Sequence, residues 1–347
     1  MGVGDRELRV MQSFGAPRAT TNPYIRMLDS ALSSTPGVAH LRFERRRALL
    51  GRYDVLHFHW PETLLGGSTR TRVVIRRLFF ALLLLRLRLS RRIAVVRTVH
   101  NLELPNDVTR WERKLLHGVI ARSDFLILLN DQTHVDGRTP DTVIPHGDFR
   151  SWYAGVGVLP GHADRDTIAF VGLIRRYKGV ERLISVFRES EASAQGMRLR
   201  VAGRPTSTEL AEEIRKLAGE DPGIALDLRF LSETEFASVV TASEGVVLPY
   251  RFMHNSGTVL AVLSLNRPVL IPRTDVNEAL ADEVGPGWIR MFDGDLTSAD
   301  LLSFLPVARA ERIEDVPDLS ARTWEEVGAR HREAYRSAIA SRRSSRR

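Results

Sequence analysis

The sequence predicts an α/β protein made of two doubly wound parallel-sheet halves in tandem. Three observations predict it. Short apolar runs alternate with amphipathic stretches, the alternation dissolves into Gly, Pro and charged residues over 151–166, and it then starts again. A chain of 347 residues is also long for one core and fits two domains of about 150 to 170 residues.

In the first half, Leu8–Ser13 (LRVMQS) reads as a strand, followed by a Gly/Pro/Thr/Asn-rich loop and the amphipathic stretch Pro23–Leu32. Strands follow at Tyr53–Phe58, Ile93–Val99 and Phe125–Leu129, with helical stretches near 70–90 and 108–121 between them. The first domain is expected over 1–155 and the second over 165–320. The second series runs Thr167–Val171 (strand), Val180–Arg188 (helix), Leu199–Ala202 (strand), Glu209–Ala218 (helix) and Ala225–Phe230 (strand). It ends with the strand Val246–Pro249, the helix Val259–Ser264 and the strand Val269–Ile271. A helix over 321–340, carrying Trp324, is expected to return and brace the first domain. Residues 341–347 (SRRSSRR) read as a disordered basic tail.

Composition narrows the function. A hydrophobic content of 43% with 27% charged residues describes an ordinary globular chain. The absence of cysteine excludes disulfides, thiolate metal sites and cysteine nucleophiles, and it suits a reducing compartment, so a cytoplasmic location is expected. No apolar signal segment opens the chain. The net charge of +8, dominated by arginine, favours an anionic partner. Nucleic acid is not expected, because aromatic residues are not interleaved with the basic stretches. No G-x-G-x-x-G follows the first strand of either half, which disfavours a nicotinamide dehydrogenase.

Ligands of doubly wound sheets bind beyond the carboxyl ends of the strands, so the residues there carry the functional argument. In FVGLIRRYKG (170–179) a strand ends at Gly172, a basic loop carries Arg175, Arg176 and Lys178, and a helix opens at Gly179. Fixed cations beside a helix start suit a diphosphate, and Arg175 and Lys178 are the expected cations. In 248–269 a strand leads into a helix whose first turn carries Asn255, Ser256, Gly257 and Thr258; open amides and a close-approach glycine make an anion cradle, although an ordinary capped helix reads the same way. In the first half, His100 ends a strand, where its imidazole can contact a transferred sugar or take a proton. His57 and His59 are expected to face opposite sides of their strand, with His59, followed by Glu62, as the ligand-facing one. Thr20, Thr21 and Asn22 follow the first strand and can bond sugar hydroxyls, or simply start a helix at Asn22–Pro23. No third ligand stands at metal-binding spacing, so no metal is expected. The stretch 70–92 carries an eight-residue apolar run bracketed by arginines, too short to span a bilayer. It fits equally a helix lying on an anionic membrane and a core helix with snorkelling arginines.

The segments 170–179 and 248–269 resemble the donor-binding half of glycosyltransferase family 4 and its GT-B relatives. The Gly, basic residue, Lys-Gly pattern matches, as does the ending Asn266-Arg267-Pro268-Val269; Thr98–Asn101 and Val143–Gly147 resemble the family's strand-end histidine and interdomain turn. The match departs at two places where the family carries glutamates and this chain has Met253 and Ala261, and at Leu173, where an arginine is common. The resemblance implies a GT-B fold, two Rossmann-like domains facing across a cleft, the first holding the acceptor and the second the donor. It implies metal-independent hexosyl transfer from a UDP- or GDP-sugar to a glycan or lipid-linked glycan, with retention of configuration, at the inner face of the plasma membrane. His100, Arg175 and Lys178 are then catalytic. Gly172, Asn255, Ser256, Gly257, Thr258 and His146 join Arg175 and Lys178 on the donor, and Thr21, Asn22, His59 and Glu62 hold the acceptor. The missing glutamates motivate one alternative, a non-catalytic GT-B-like subunit that binds a membrane or a partner.

Overall fold

The computed structural model describes residues 6–18, 21–101, 104, 108–135, 137–251, 253 and 256–344. Two compact units emerge, one of residues 1–147 with 322–347 and one of residues 148–321.

Unit 1 contains β1 (Leu8–Gln12), α1 (Pro23–Ser34), β2 (Val38–Leu41), α2 (Arg45–Leu50), β3 (Val55–Phe58), α3 (Arg70–Leu89), β4 (Ala94–Val99), α4 (Arg110–Ile120), β5 (Phe125–Leu128) and β6 (Asp141–Val143). Its sheet has the order β2-β1-β3-β4-β5-β6, with every pairing parallel. Side chains alternate across the strands and build two cores. Val10, Val55, Ala94, Val96 and Ile127 pack with Leu28 and Leu32 of α1, while Met11, Leu56, Phe58 and Val95 pack with Phe80, Leu83 and Leu87 of α3 and Leu116 and Val119 of α4. Hydrogen-bonded caps start the flanking helices: Asn22 Oδ1 accepts from Tyr24 N, Glu44 from Arg46 N and Arg47 N, Thr69 from Arg72 N, and Thr109 and Glu112 form a reciprocal capping box.

Unit 2 contains α5 (Arg150–Gly155), β7 (Asp164–Val171), α6 (Val180–Glu189), β8 (Arg198–Ala202), α7 (Thr208–Ala218), β9 (Ile224–Asp227), α8 (Glu233–Ala242), β10 (Ser243–Val247), α9 (Gly257–Ser264), β11 (Val269–Pro272), α10 (Asp275–Val284), β12 (Ile289–Phe292) and α11 (Ser298–Glu311). Its sheet, β12-β11-β10-β7-β8-β9, is again parallel throughout. The chain then returns to unit 1 as α12 (Trp324–Ser344), which packs on α1, β3, β4 and β5 and adds Val327, Ala334, Tyr335 and Ala338 to the first of the two cores.

Two boundaries differ from the expected ones. Residues 148–155 belong to unit 2, because α5 is tied there: Phe149 N donates to Ser264 Oγ at 2.8 Å, Arg150 donates to Pro317 O, and Tyr153 stacks on Phe236. The basic segment from 341 is helical through Ser344, and Arg342 donates to Ser90 O at 2.9 Å and approaches Asp124. Ordered acceptors within reach of the arginine hold this turn in place; residues 345–347 lie outside the described ones.

Candidate active site

At the strand ends of unit 2, backbone meets backbone. Gly172, after β7, has φ +115, Gly203, after β8, has φ +151, and a Cβ on Gly203 would collide with the Gly172 carbonyl oxygen. Gly179 has φ +68, and a Cβ there would collide with the Pro249 carbonyl oxygen beyond β10. Only glycine permits these approaches at positive φ. A short 3-10 turn, Arg176–Lys178, closes the basic loop, and Arg251 N donates to Tyr177 O, joining that loop to the one before α9.

Lys178 is only 9% exposed, and its Nζ stands 4.8 Å from the centroid of the Tyr250 ring. Burial, and then the neighbouring Arg175, pull its ammonium down to about 8. Arg175 is exposed and makes no ion pair among the described residues, whereas Arg176 reaches Glu213 and Glu181. Thr258, in the first turn of α9, lies beside the Tyr250 hydroxyl, which is buried without a hydrogen-bond partner among the described residues, so the lysine and the helix start share Tyr250 as a neighbour. Ser256 is the N-cap of α9, its Oγ accepting from Val259 N, and Gly257 opens the helix. Asn255 lies outside the described residues. The Arg-Pro-Val ending turns out to be scaffold: Asn266 has φ +54, and Arg267 donates to Ser243 O and Thr241 O. The positions of the two absent glutamates are apolar, with Met253 buried against Asn277 and Ala261 buried in α9.

The strand ends of unit 1 carry rings instead of charges. His57 and His59 share one face, their centroids 4.1 Å apart, which corrects the expectation that they diverge; residues two apart along a strand point to the same side. His57 Nδ1 lies 3.0 Å from the Tyr335 hydroxyl and Nε2 2.8 Å from Thr98 Oγ1. Gln12 bridges onward, with Nε2 3.1 Å from the Tyr335 hydroxyl and Oε1 3.1 Å from His59 Nε2. His59 Nδ1 lies 3.2 Å from His100 Nε2, and the half-buried His100 ring stacks on Trp60 at 3.7 Å and 17°. Tyr24 packs against His59, Trp60, His100, His146 and Trp324.

Burial keeps these imidazoles neutral. It pulls His100 down to about 3, His146 and His331 to about 4, and His57 and His59 well below the usual range. Glu62 sits in the 3-10 turn Pro61–Leu64, directly after Trp60, and burial pushes its carboxyl up. His146 lies in this aromatic group of unit 1, its Nδ1 2.7 Å from Gly147 O. Thr21 and Asn22 are used locally: Thr21 Oγ1 accepts from Arg18 N and Asn22 caps α1, while Thr20 lies outside the described residues. No group of three or more metal-ligating side chains that could hold an ion stands among the described residues. Sequence reading missed Gln12, Tyr24, Tyr250 and Tyr335.

Comparisons with known proteins bear on what these ends act on. No protein-family model matches the chain. It is 40% identical over 337 residues to the GDP-mannose:glycolipid 4-beta-D-mannosyltransferase of Xanthomonas campestris pv. campestris, across 96% of this chain and 93% of the relative. The chain belongs to that glycosyltransferase family. Among solved structures, a glycosyltransferase from Rickettsia africae matches this hexosyltransferase with a TM-score of 0.60 at 10% identity, over 96% of this chain and 99% of its own. A glycosyltransferase involved in avilamycin A biosynthesis matches with a TM-score of 0.57 at 16% identity, over 96% and 98%. The enzyme has the GT-B fold, and the alternative of a non-catalytic subunit is set aside.

One further surface of the glycosyltransferase stands out. Only one side of α3 is buried; Val74, Ile75, Leu78, Leu82, Leu85 and Leu89 remain exposed, with Leu50 of α2 and Trp111 of α4 exposed on the helices that contact it. Among the described residues, no helix is long and apolar enough to cross a membrane.

Proposed function

We propose that this enzyme transfers mannose from GDP-mannose to a lipid-linked glycan and forms a β linkage with inversion at the anomeric carbon. The observation that carries this reading is the 40% identity, running through 96% of the chain, to an enzyme named for that donor and a glycolipid acceptor. Mannose nucleotides carry the α anomer, so a β product requires inversion, and the retention implied by the resemblance to family 4 gives way.

Unit 2 holds the donor. Lys178 and Arg175 offset the charge that develops on the departing GDP, and the close glycine backbone with the open amides of α9 receives the diphosphate. The cations here take the place a metal fills in other transferases. Unit 1 holds the acceptor among neutral rings. The acceptor hydroxyl oxygen bonds to C1 of mannose as the bond from C1 to the diphosphate oxygen breaks. The hydroxyl proton passes to Glu62, whose burial makes it a stronger base than an exposed carboxylate. His100, neutral and held flat on Trp60, accepts a hydrogen bond from a sugar hydroxyl. The exposed apolar side of α3 and its flanking arginines rest on an anionic cytoplasmic leaflet, which presents the lipid-linked acceptor.

Incubating the purified protein with GDP-mannose and a lipid-linked glycan, and reading the product anomer by NMR, tests the reaction. A β-mannoside is expected; an α product, or a preference for UDP- or ADP-sugars, overturns it. Co-sedimentation with phosphatidylserine vesicles tests the surface. Leu78→Glu with Leu82→Glu is expected to release the protein, and unchanged sedimentation removes α3 from this role.

A further inference from the structure

The buried polar chain behind His100 has no counterpart in the proposed chemistry so far, yet its bonds leave little freedom. A neutral imidazole has one N–H and one lone pair, so the partner of one nitrogen determines what the other can do. Gln12 sets the direction. Its amide nitrogen is turned to the Tyr335 hydroxyl and its oxygen to His59 Nε2. His59 must therefore carry its proton on Nε2 and present a bare Nδ1 to His100. On the other branch, the Tyr335 hydroxyl accepts from Gln12 and donates to His57 Nδ1, whose Nε2–H then donates to Thr98 Oγ1. These bonds tie six side chains from β1, β3, β4 and α12 and the residues that follow them into one buried network, which makes the arrangement rigid.

We infer that Tyr335, Gln12 and His59 act as positioning residues that lock His100 with its proton on Nε2, so that Nδ1 is a fixed hydrogen-bond acceptor for a hydroxyl of the sugar substrate. Among the described residues His100 makes no hydrogen bond besides the one to His59, which leaves Nδ1 to the ligand. The stack on Trp60 and the edge contact with Tyr24 pin the plane of the ring, so the lone pair keeps one direction. A sugar hydroxyl, which can donate its proton, is recognised by such a site, and a group that only accepts is rejected. The inference rests on the reading that this end of unit 1 binds sugar hydroxyls.

The tautomer is read directly, without turnover, from a long-range 1H–15N spectrum of the histidine-labelled protein at neutral pH, with His100 assigned by its loss in His100→Gln. Protonated Nε2 and bare Nδ1 are expected; a protonated Nδ1 on His100 overturns the inference. Gln12→Met removes both bonds of the amide at similar length. It is expected to give His100 signals from both tautomers and a loss of about tenfold in kcat, with the KM for GDP-mannose little changed. A single unchanged tautomer in that variant also overturns the inference, and if the variant does not fold, the wild-type spectrum still decides. His100→Gln keeps a donor for His59 but places nothing where Nδ1 stands. If it transfers mannose at the wild-type rate while the wild-type spectrum shows the expected tautomer, the lock stands and the sugar-binding reading falls.

Discussion

Unit 1 and unit 2 both end a six-stranded parallel sheet in a cluster of side chains, but the clusters are chemically opposed. In unit 1, five histidines held neutral by burial gather with Tyr24, Trp60, Trp324 and Tyr335, and hydrogen bonds bind six polar side chains, Gln12, His57, His59, Thr98, His100 and Tyr335, to one another. In unit 2 the strand ends are glycine backbone with the buried Lys178 and the exposed Arg175, which makes no ion pair among the described residues. On the proposed reading, the difference divides one architecture between two kinds of ligand. Rings and directed lone pairs suit a neutral, hydroxyl-rich molecule, whereas unpaired charge and open amides suit a diphosphate.

The sharpest way to break that division is Lys178→Ala. Losing the buried cation is expected to lower kcat by roughly 100- to 1,000-fold with the fold intact by circular dichroism, and near-normal turnover would refute the donor assignment. Acid distinguishes the units next. In unit 1 burial depresses the folded pKa of His100 to about 3 and those of His146 and His331 to about 4. Their contribution is complete above the unfolded value of about 6.5 and is lost as pH falls toward about 4, at up to about 1.4 kcal/mol per pH unit for each. Calorimetry at pH 7 and pH 5 should show a drop of a few kcal/mol carried by unit 1; a pH-independent Tm contradicts it. Alkali acts on unit 2 in the reverse sense. Lys178 binds a diphosphate only when charged, so GDP affinity is expected to hold below about pH 8 and to weaken about tenfold per unit above it. Titration calorimetry should show the break vanish in Lys178→Arg. The smallest effect is Asn22→Ala, which removes the cap of α1 and should cost about 1 kcal/mol in chemical denaturation while leaving GDP binding untouched.

The central strands were legible because burial on both faces makes them continuous apolar runs, as in Phe125–Leu128 and Ile168–Val171. The strands that escaped notice, β2, β6 and β12, lie at sheet edges, where short half-exposed segments such as Asp141–Val143 carry no such run. The basic loop of unit 2 was readable because its glycines and cations are neighbours in sequence. Tyr250 under Lys178 was not, since its role depends on a contact across 72 positions, and Gln12 meets Tyr335 across 323. The divergence expected for His57 and His59 failed on strand geometry alone, because their spacing of two puts both rings on one side.

The returning helix α12 also governs the order in which this protein can mature. During synthesis the ribosome delivers residues 1–147 early, but Val327, Tyr335 and Ala338, which close one side of their core, emerge only after all of unit 2. The earlier-made half is thus the later one to finish. A nascent chain stalled before residue 324 would display that uncovered apolar strip to chaperones and proteases, so premature termination near the end of the message is costlier here than the small number of missing residues suggests.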